Sequence, residues 1–175
     1  TQEAFSFAIH IPYYVKPDDQ RVSLTVNGEK LDIQGLMKKG YAYITREWKD
    51  GDVVEVEFPM EVRKAYANQH VREDAGCVAL LRGPVVYCFE GVDNGELIQS
   101  LRIPRELKAE TVTCEEGVLK GNVLLKFEGI RMVGSNALYS EEPPVKEKAQ
   151  MTAIPYYTWA NRGENQMRVW MQEEA

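Results

Sequence analysis

The sequence predicts an all-β fold, built as two tandem small antiparallel β-sandwiches of jelly-roll-like type. Three observations predict it. Apolar residues recur at every second position in segment after segment. Short turns rich in Gly, Pro, Asn and Asp separate these segments at near-regular spacing. No long stretch repeats the i, i+3, i+4 pattern of an amphipathic helix.

The elements follow in order. Phe5, Phe7, Ile9 and Ile11 fall on one face of an extended segment, with Ser6 and His10 on the other; Pro12 and the stretch Lys16, Pro17, Asp18, Asp19 end it. Val22, Leu24 and Val26 alternate with Ser23 and Thr25 up to Asn27-Gly28. That pair tolerates positive φ at both turn positions and predicts a tight hairpin into a strand over 30–33. Residues 41–48 read as the next strand, and Lys49-Asp50-Gly51-Asp52 as the turn after it. Val54, Val56 and Phe58 then point one way while Glu55 and Glu57 point the other, giving one dry and one wet face. Pro59 interrupts the ladder, and Met60, Val62 and Tyr66 continue in a bent strand.

The runs 77–81 and 85–89, separated by Gly83-Pro84, are short, continuous and apolar, as strands buried on both faces are. The polar stretch Gly91-Val92-Asp93-Asn94-Gly95 is the expected domain joint. It gives a first sandwich over 1–91 and a second over 92–165, with a last strand in 166–173 crossing back to pair with the first. Within the second, residues 97–103, 111–114, 118–119, 123–127 and 151–159 read as short strands. Residues 140–148, with Pro143-Pro144 and dense charge, read as a mobile loop. Only 97–107 would accommodate a helical turn.

Composition narrows the function classes. The chain has 175 residues, 44% of them hydrophobic, which suffices for a core without a structural metal or disulfide. With 27 acidic against 21 basic residues its formal charge is −6, so nucleic acid is not an expected partner. No apolar run approaches the roughly 20 residues that span a bilayer, so a membrane is not expected either. The alternating pattern begins by Phe5 with no initiator Met, which reads as an excised C-terminal fragment. A bacterial cytoplasmic location is expected, with periplasmic or secreted origin left open. Cys77, Cys88 and Cys114 show no CxxC spacing and read as reduced, mostly buried thiols; a Cys77–Cys88 bridge across a hairpin is the alternative.

Chemistry-bearing constellations are sparse. His10 and His70 lie far apart, and neither has a Cys, Asp or Glu at useful local spacing. Asp50 and Asp52 offer too few ligands for a calcium loop. The adjacent pairs Asp18-Asp19, Glu115-Glu116 and Glu141-Glu142 would point to opposite faces of a strand, unlike the facing carboxyls of a glycosidase. A site gathering His70 with Glu73 or Asp74 and a cysteine is the only enzymatic arrangement to look for. No catalytic, cofactor-binding or metal residue is assigned. Tyr13, Tyr14, Tyr41, Tyr43, Tyr156, Tyr157, Trp159 and Trp170 could form a sugar-stacking platform, with Tyr156, Tyr157 and Trp159 singled out as the candidate sugar-contact or interface aromatics; the alternative is that such rings fill cores and interfaces.

Specific strings carry more. GYAYITREWKDGDVVEVEFPMEVRKAYANQHVREDAGCVALLRGPVVYCFEG (40–91), AIPYYTWANRG (153–163), the following MRVW, and VNGE (26–29) together resemble the C-terminal region of glycoside hydrolase family 127, the β-L-arabinofuranosidases. Residues 107–147 resemble it weakly. The resemblance implies a parent enzyme with an (α/α)6 barrel followed by two β-sandwiches. In that family a cysteine nucleophile, held at a zinc site with other cysteines and a glutamate, attacks the arabinofuranose anomeric carbon. Those residues belong to the barrel, which this chain lacks; Cys77 and Cys88 do not match the nucleophile's motif. The expectation is a non-catalytic accessory region, without a cofactor of its own, that packs on its parent's zinc-containing barrel and carries a homodimer contact. The alternative is a carbohydrate-binding module for arabinose-containing plant glycans.

Overall fold

The computed structural model describes residues 3–16 and 18–174. Pro17, expected to help end the first strand, lies outside the described residues, as do Thr1, Gln2 and Ala175. The chain divides into two compact units, Thr1–Glu61 and Val62–Ala175, and both are built from antiparallel sheets.

Among its described residues unit 1 contains six strands: β1 (Glu3–His10), β2 (Ser23–Val26), β3 (Glu29–Lys30), β4 (Met37–Lys38), β5 (Tyr41–Trp48) and β6 (Val54–Glu57). They form two three-stranded sheets, ordered β1-β5-β4 and β3-β2-β6. Leu24 and Val26 of β2 share one core with Ala42 and Ile44 of β5, Ile33, and the β1-flanking Ile11. This is the sandwich that the alternation predicts. The turn is as expected too: Asn27 and Gly28 both have positive φ, at 52° and 78°. Asn27 also ties the opposite turn, its Nδ2 donating to Asp52 at 2.8 Å and its Oδ1 accepting from the Val53 N–H at 2.8 Å. The strand expected over 30–33 is cut short. Asp32 accepts the Gln34 N–H at 3.1 Å and caps a helical turn, Ile33–Leu36.

Unit 2 contains β7 (Val62–Tyr66), β8 (Cys77–Arg82), β9 (Val85–Glu90), β10 (Leu101–Arg102), β11 (Glu110–Thr113), β12 (Val123–Val133), β13 (Val145–Pro155), β14 (Met167–Arg168) and β15 (Met171–Gln172). They make a single nine-stranded sheet along the path β10-β12-β13-β9-β8-β15, with β7, β11 and β14 attached to β8, β12 and β9. The hairpin of β8 and β9 is paired only near its turn, Leu81 with Val86 and Arg82 with Val85. Further out the two strands part, and the segment 167–172 enters between them. Met167 and Arg168 pair with Glu90 and Phe89, then Met171 and Gln172 pair with Val78 and Cys77. A parallel bridge between Ile103 and Glu173 joins the ends of the sheet path. Leu80, Phe89, Ile98, Leu125, Phe127 and Met151 are buried inside, with Phe89 and Phe127 edge to face at 6.1 Å.

Four expectations are corrected. The joint lies between Glu61 and Val62, not at 91–95, because the latter stretch is internal glue. Gly91–Asn94 is a helical turn whose Asn94 is buried; its side chain donates to the carbonyls of Glu90 (2.9 Å) and Thr152 (2.8 Å) and accepts the Thr152 N–H (2.9 Å). The pairing of 167–172 with 77–90 stands, yet it closes unit 2 on itself. Residues 118–119 are not a strand: they sit in the β11–β12 connection, closed by reciprocal backbone bonds of Cys114 with Asn122 and Gly121. The loop expected over 140–148 gives way at Val145, where β13 begins pairing with Val133. The turn expected in 97–107 is present as the 3-10 turn Ile98–Ser100. Short helical turns also occur at Ile33–Leu36, Arg72–Asp74, Gly91–Asn94 and Tyr156–Thr158. Among the described residues no helix is long and apolar enough to cross a membrane.

Candidate functional site

Strand β13 ends at Pro155, and the 3-10 turn that follows it carries the three aromatics singled out in the sequence. Thr158 is buried and donates to the Pro155 carbonyl at 2.7 Å, which tightens the turn and throws the flanking rings outward. Tyr156 and Trp159 stack with centroids 6.3 Å apart and are 43% and 41% exposed. Tyr157, 68% exposed, is held by its hydroxyl on Asn122 at 2.9 Å. The structure thus brings Tyr156 and Trp159 together and aims Tyr157 elsewhere. The stacked pair offers a flat apolar surface suited to the face of a sugar ring or to another protein.

The shelf is held from below by residues the sequence reading missed. Glu90 is fully buried at the end of β9. Its carboxylate accepts the Ala160 N–H at 3.0 Å, at a backbone position with φ 64°, and it is gripped by Arg162. Arg162 also donates to Asp93. Asp93 first, and Glu90 after it, hold the guanidinium pKa above its ordinary value against the opposing effect of burial. A charged residue closing the apolar run 85–89 was the available signal, since a buried carboxylate needs a cation; its partner lies too far along the chain for spacing to reveal.

A second, half-buried polar node sits beside β7. Lys64 Nζ donates to the carbonyls of Pro104 (2.7 Å) and Arg105 (2.8 Å) and to Glu173 (2.7 Å), which also accepts the Tyr66 hydroxyl at 2.9 Å. These bonds, Lys64's above all, hold the Glu173 carboxyl below its usual range. The open groove alongside is lined by Tyr66, Asp74, Cys77 and Glu173 among others, and by neither His70 nor Glu73. The enzymatic arrangement around His70 is therefore not assembled.

The thiols are free; Cys77 and Cys88 are buried and Cys114 half-buried. Burial pushes the Cys88 thiol up to about 12. Among the described residues no three of His, Cys, Asp and Glu gather to hold a metal ion. The donor set for the zinc that the resemblance implies does not fit any place in these residues.

Unit 1 contributes a different surface. Register sets Phe5 opposite Arg46, Phe7 opposite Ile44 and Ile9 opposite Ala42, so all lie on the core-facing side of the sheet. Yet Phe5 and Phe7 are 51% and 44% exposed. They pack on Trp48, at 5.7 and 6.0 Å, which carries the Arg46 guanidinium over its ring and donates its indole N–H to the Phe5 carbonyl.

Comparison with known proteins places these features. Residues 62–172 match the glycoside hydrolase family 127 C-terminal domain, and residues 1–60 the β-L-arabinofuranosidase GH127 middle domain. The non-reducing end β-L-arabinofuranosidase of Bifidobacterium longum subsp. longum is 31% identical across 98% of this chain. The crystal structure of a GH127 β-L-arabinofuranosidase from Geobacillus stearothermophilus T6 superposes with a TM-score of 0.90 at 41% identity over 99% of the chain. A second solved GH127 β-arabinofuranosidase gives 0.87 at 32% identity, also over 99%. The chain spans 26% of the Bifidobacterium protein and 27% and 28% of the two solved chains. The boundary between the two matches coincides with the division at Glu61 and Val62. The chain belongs to glycoside hydrolase family 127, of which it comprises the middle and C-terminal domains.

Proposed function

We propose that this chain is a non-catalytic accessory region of a glycoside hydrolase resembling β-L-arabinofuranosidase, and that it packs against the parent's zinc-containing (α/α)6 barrel. The single observation carrying the reading is the exposure of Phe5 and Phe7 on the side of their sheet that elsewhere forms the core. Contiguous aromatic surface of this kind marks an interaction face. The clustered ionisable groups agree with it. Glu90, Arg162, Lys64 and Glu173 bind one another and the backbone, and none is left to act on a substrate. The test is turnover of an aryl β-L-arabinofuranoside by the isolated chain. None is expected, and activity surviving repurification would overturn the reading.

The stacked, exposed pair Tyr156 and Trp159 supports a second reading, a contact for arabinose-containing glycans or for a second copy of the chain. Calorimetric titration with arabino-oligosaccharides separates the two. Heat at millimolar ligand that disappears in Trp159→Ala favours glycan binding, and a flat titration with a concentration-dependent mass favours the dimer.

A further inference from the structure

We propose that the outer face of the β1-β5-β4 sheet binds a saccharide bearing uronic acid groups, with a sugar ring on Tyr43 and the uronate carboxylate at Lys38 and Lys39. The face is the reverse of the one carrying Phe5 and Phe7, because successive residues of a strand alternate sides. On it lie Ser6, Ala8 and His10 of β1 and, opposite them in register, Thr45, Tyr43 and Tyr41 of β5. Three rings form a row: His10 and Tyr41 at 5.1 Å, then Tyr41 and Tyr43 at 6.3 Å. Both tyrosines are exposed. The Ser6 and Thr45 hydroxyls bond each other at 2.7 Å on the same face and keep further hydrogen-bonding capacity.

Beside this row runs an open groove of about 610 Å3, lined by Ser6, Tyr43, Lys38, Lys39 and the turn Gly35 to Met37. The β4–β5 turn that presents the lysines is fixed by positive φ at Lys39 and Gly40, 53° and 83°. Among the described residues, the ion pairs of unit 1 are those of Arg21 with Asp19 and Glu61, so neither lysine is neutralised by a carboxylate. Two adjacent cations without an ion-pair partner are complementary to an anion. A neutral arabinan would use the rings and leave the lysines idle. A nucleic acid calls for a more extended basic track than two lysines. A uronate uses rings, hydroxyls and lysines together.

The experiment is calorimetry and NMR on the whole chain with trigalacturonate, L-arabinotriose and inorganic phosphate. Trigalacturonate is expected to bind, to shift the Tyr43 and Lys38 resonances, and to bind less tightly as salt is raised. Lys38→Glu/Lys39→Glu should weaken it roughly tenfold or more, through loss of charge-assisted contacts. Tyr43→Ala should weaken it without altering the salt dependence. These residues are exposed, so unchanged thermal midpoints are expected; if the double glutamate variant proves unstable, Lys38→Gln/Lys39→Gln replaces it. The proposal fails if trigalacturonate produces no shifts on this face. It also fails if arabinotriose or phosphate binds equally well, or if the lysine variants bind as the parent does. Any of these results would leave the accessory reading untouched, since that reading rests on the opposite face.

Discussion

Arg162 donates through Nε to the carboxylate of Glu90 at 3.0 Å, joining residues 72 positions apart at a place where Glu90 has no contact with solvent. Two segments distant in sequence are thereby clamped, and the bond from the Ala160 N–H to Glu90 pins the chain just after the turn bearing Tyr156 and Trp159. Removing one member strands the other in a dry environment. Glu90→Ala or Arg162→Ala should therefore each cost about 3–5 kcal/mol of stability. The double variant should cost clearly less than the sum, because the second change removes the group left unpaired. Urea unfolding of the four proteins measures the coupling, and strict additivity would contradict it.

Acid should loosen the node at β7. Lys64, and Tyr66 after it, lower the Glu173 carboxyl from its ordinary 4.5, while burial pushes the other way. A depressed carboxylate contributes stability that is fully present above its unfolded pKa and is lost as pH falls through the folded one. Stability should thus be flat above the ordinary glutamate range and decline below it. In Glu173→Gln that decline should be shallower. Thermal melts from pH 6 down to about pH 2 would show it, and identical profiles for the two proteins would refute it.

Thiol chemistry should divide the cysteines. The nucleophile is the thiolate, and Cys88, buried and with its pKa raised to about 12, has almost none at neutral pH. Cys114 is only half-buried. Labelling with a thiol reagent should modify Cys114 first, and reach Cys77 and Cys88 only at the rate of unfolding. Mass spectrometry of time points distinguishes the three, and early modification of Cys88 would count against the structure.

Gly129 marks a close approach inside β12. A Cβ there would lie 2.3 Å from Met151 Sδ and 2.8 Å from the Arg102 carbonyl oxygen. The methionine end can swing away, but the backbone oxygen of the neighbouring β10 cannot without disturbing that pairing. Gly129→Ala should destabilise by about 1–3 kcal/mol, read from the denaturation midpoint. A neutral effect would mean the two strands part more easily than their contacts imply.

Much of unit 1 was legible in the sequence. The alternation in 22–26 and 41–48 named the strands, and Asn27-Gly28 named the turn, because local sterics decide both. The dry side of β1 was legible as well, but not that Phe5 and Phe7 would stay uncovered on it. The joint at 91–95 failed for a physical reason. A polar, glycine-containing stretch signals a linker only when its side chains face water, and Asn94 faces the protein interior, replacing backbone partners. The aromatic shelf could be named but not oriented, since it depends on a bond from Thr158 inside the turn and on Asn122 from a distant connection. Glu90 with Arg162, and Lys64 with Glu173, depend on long-range pairing and leave almost no local trace.

The segment 167–172, lodged between the parted strands β8 and β9, has a kinetic consequence. Its Gln172 bonds to Cys77, 95 positions away, and Glu173 reaches Ile103 across a parallel bridge. Such closures must overcome the entropy of large loops before any contact rewards them, which slows folding. Unit 1, whose pairings join nearer segments, should reach its native state first. In refolding by stopped flow the fluorescence of Trp48 should recover ahead of that of Trp170, which lies with Val169 between β14 and β15.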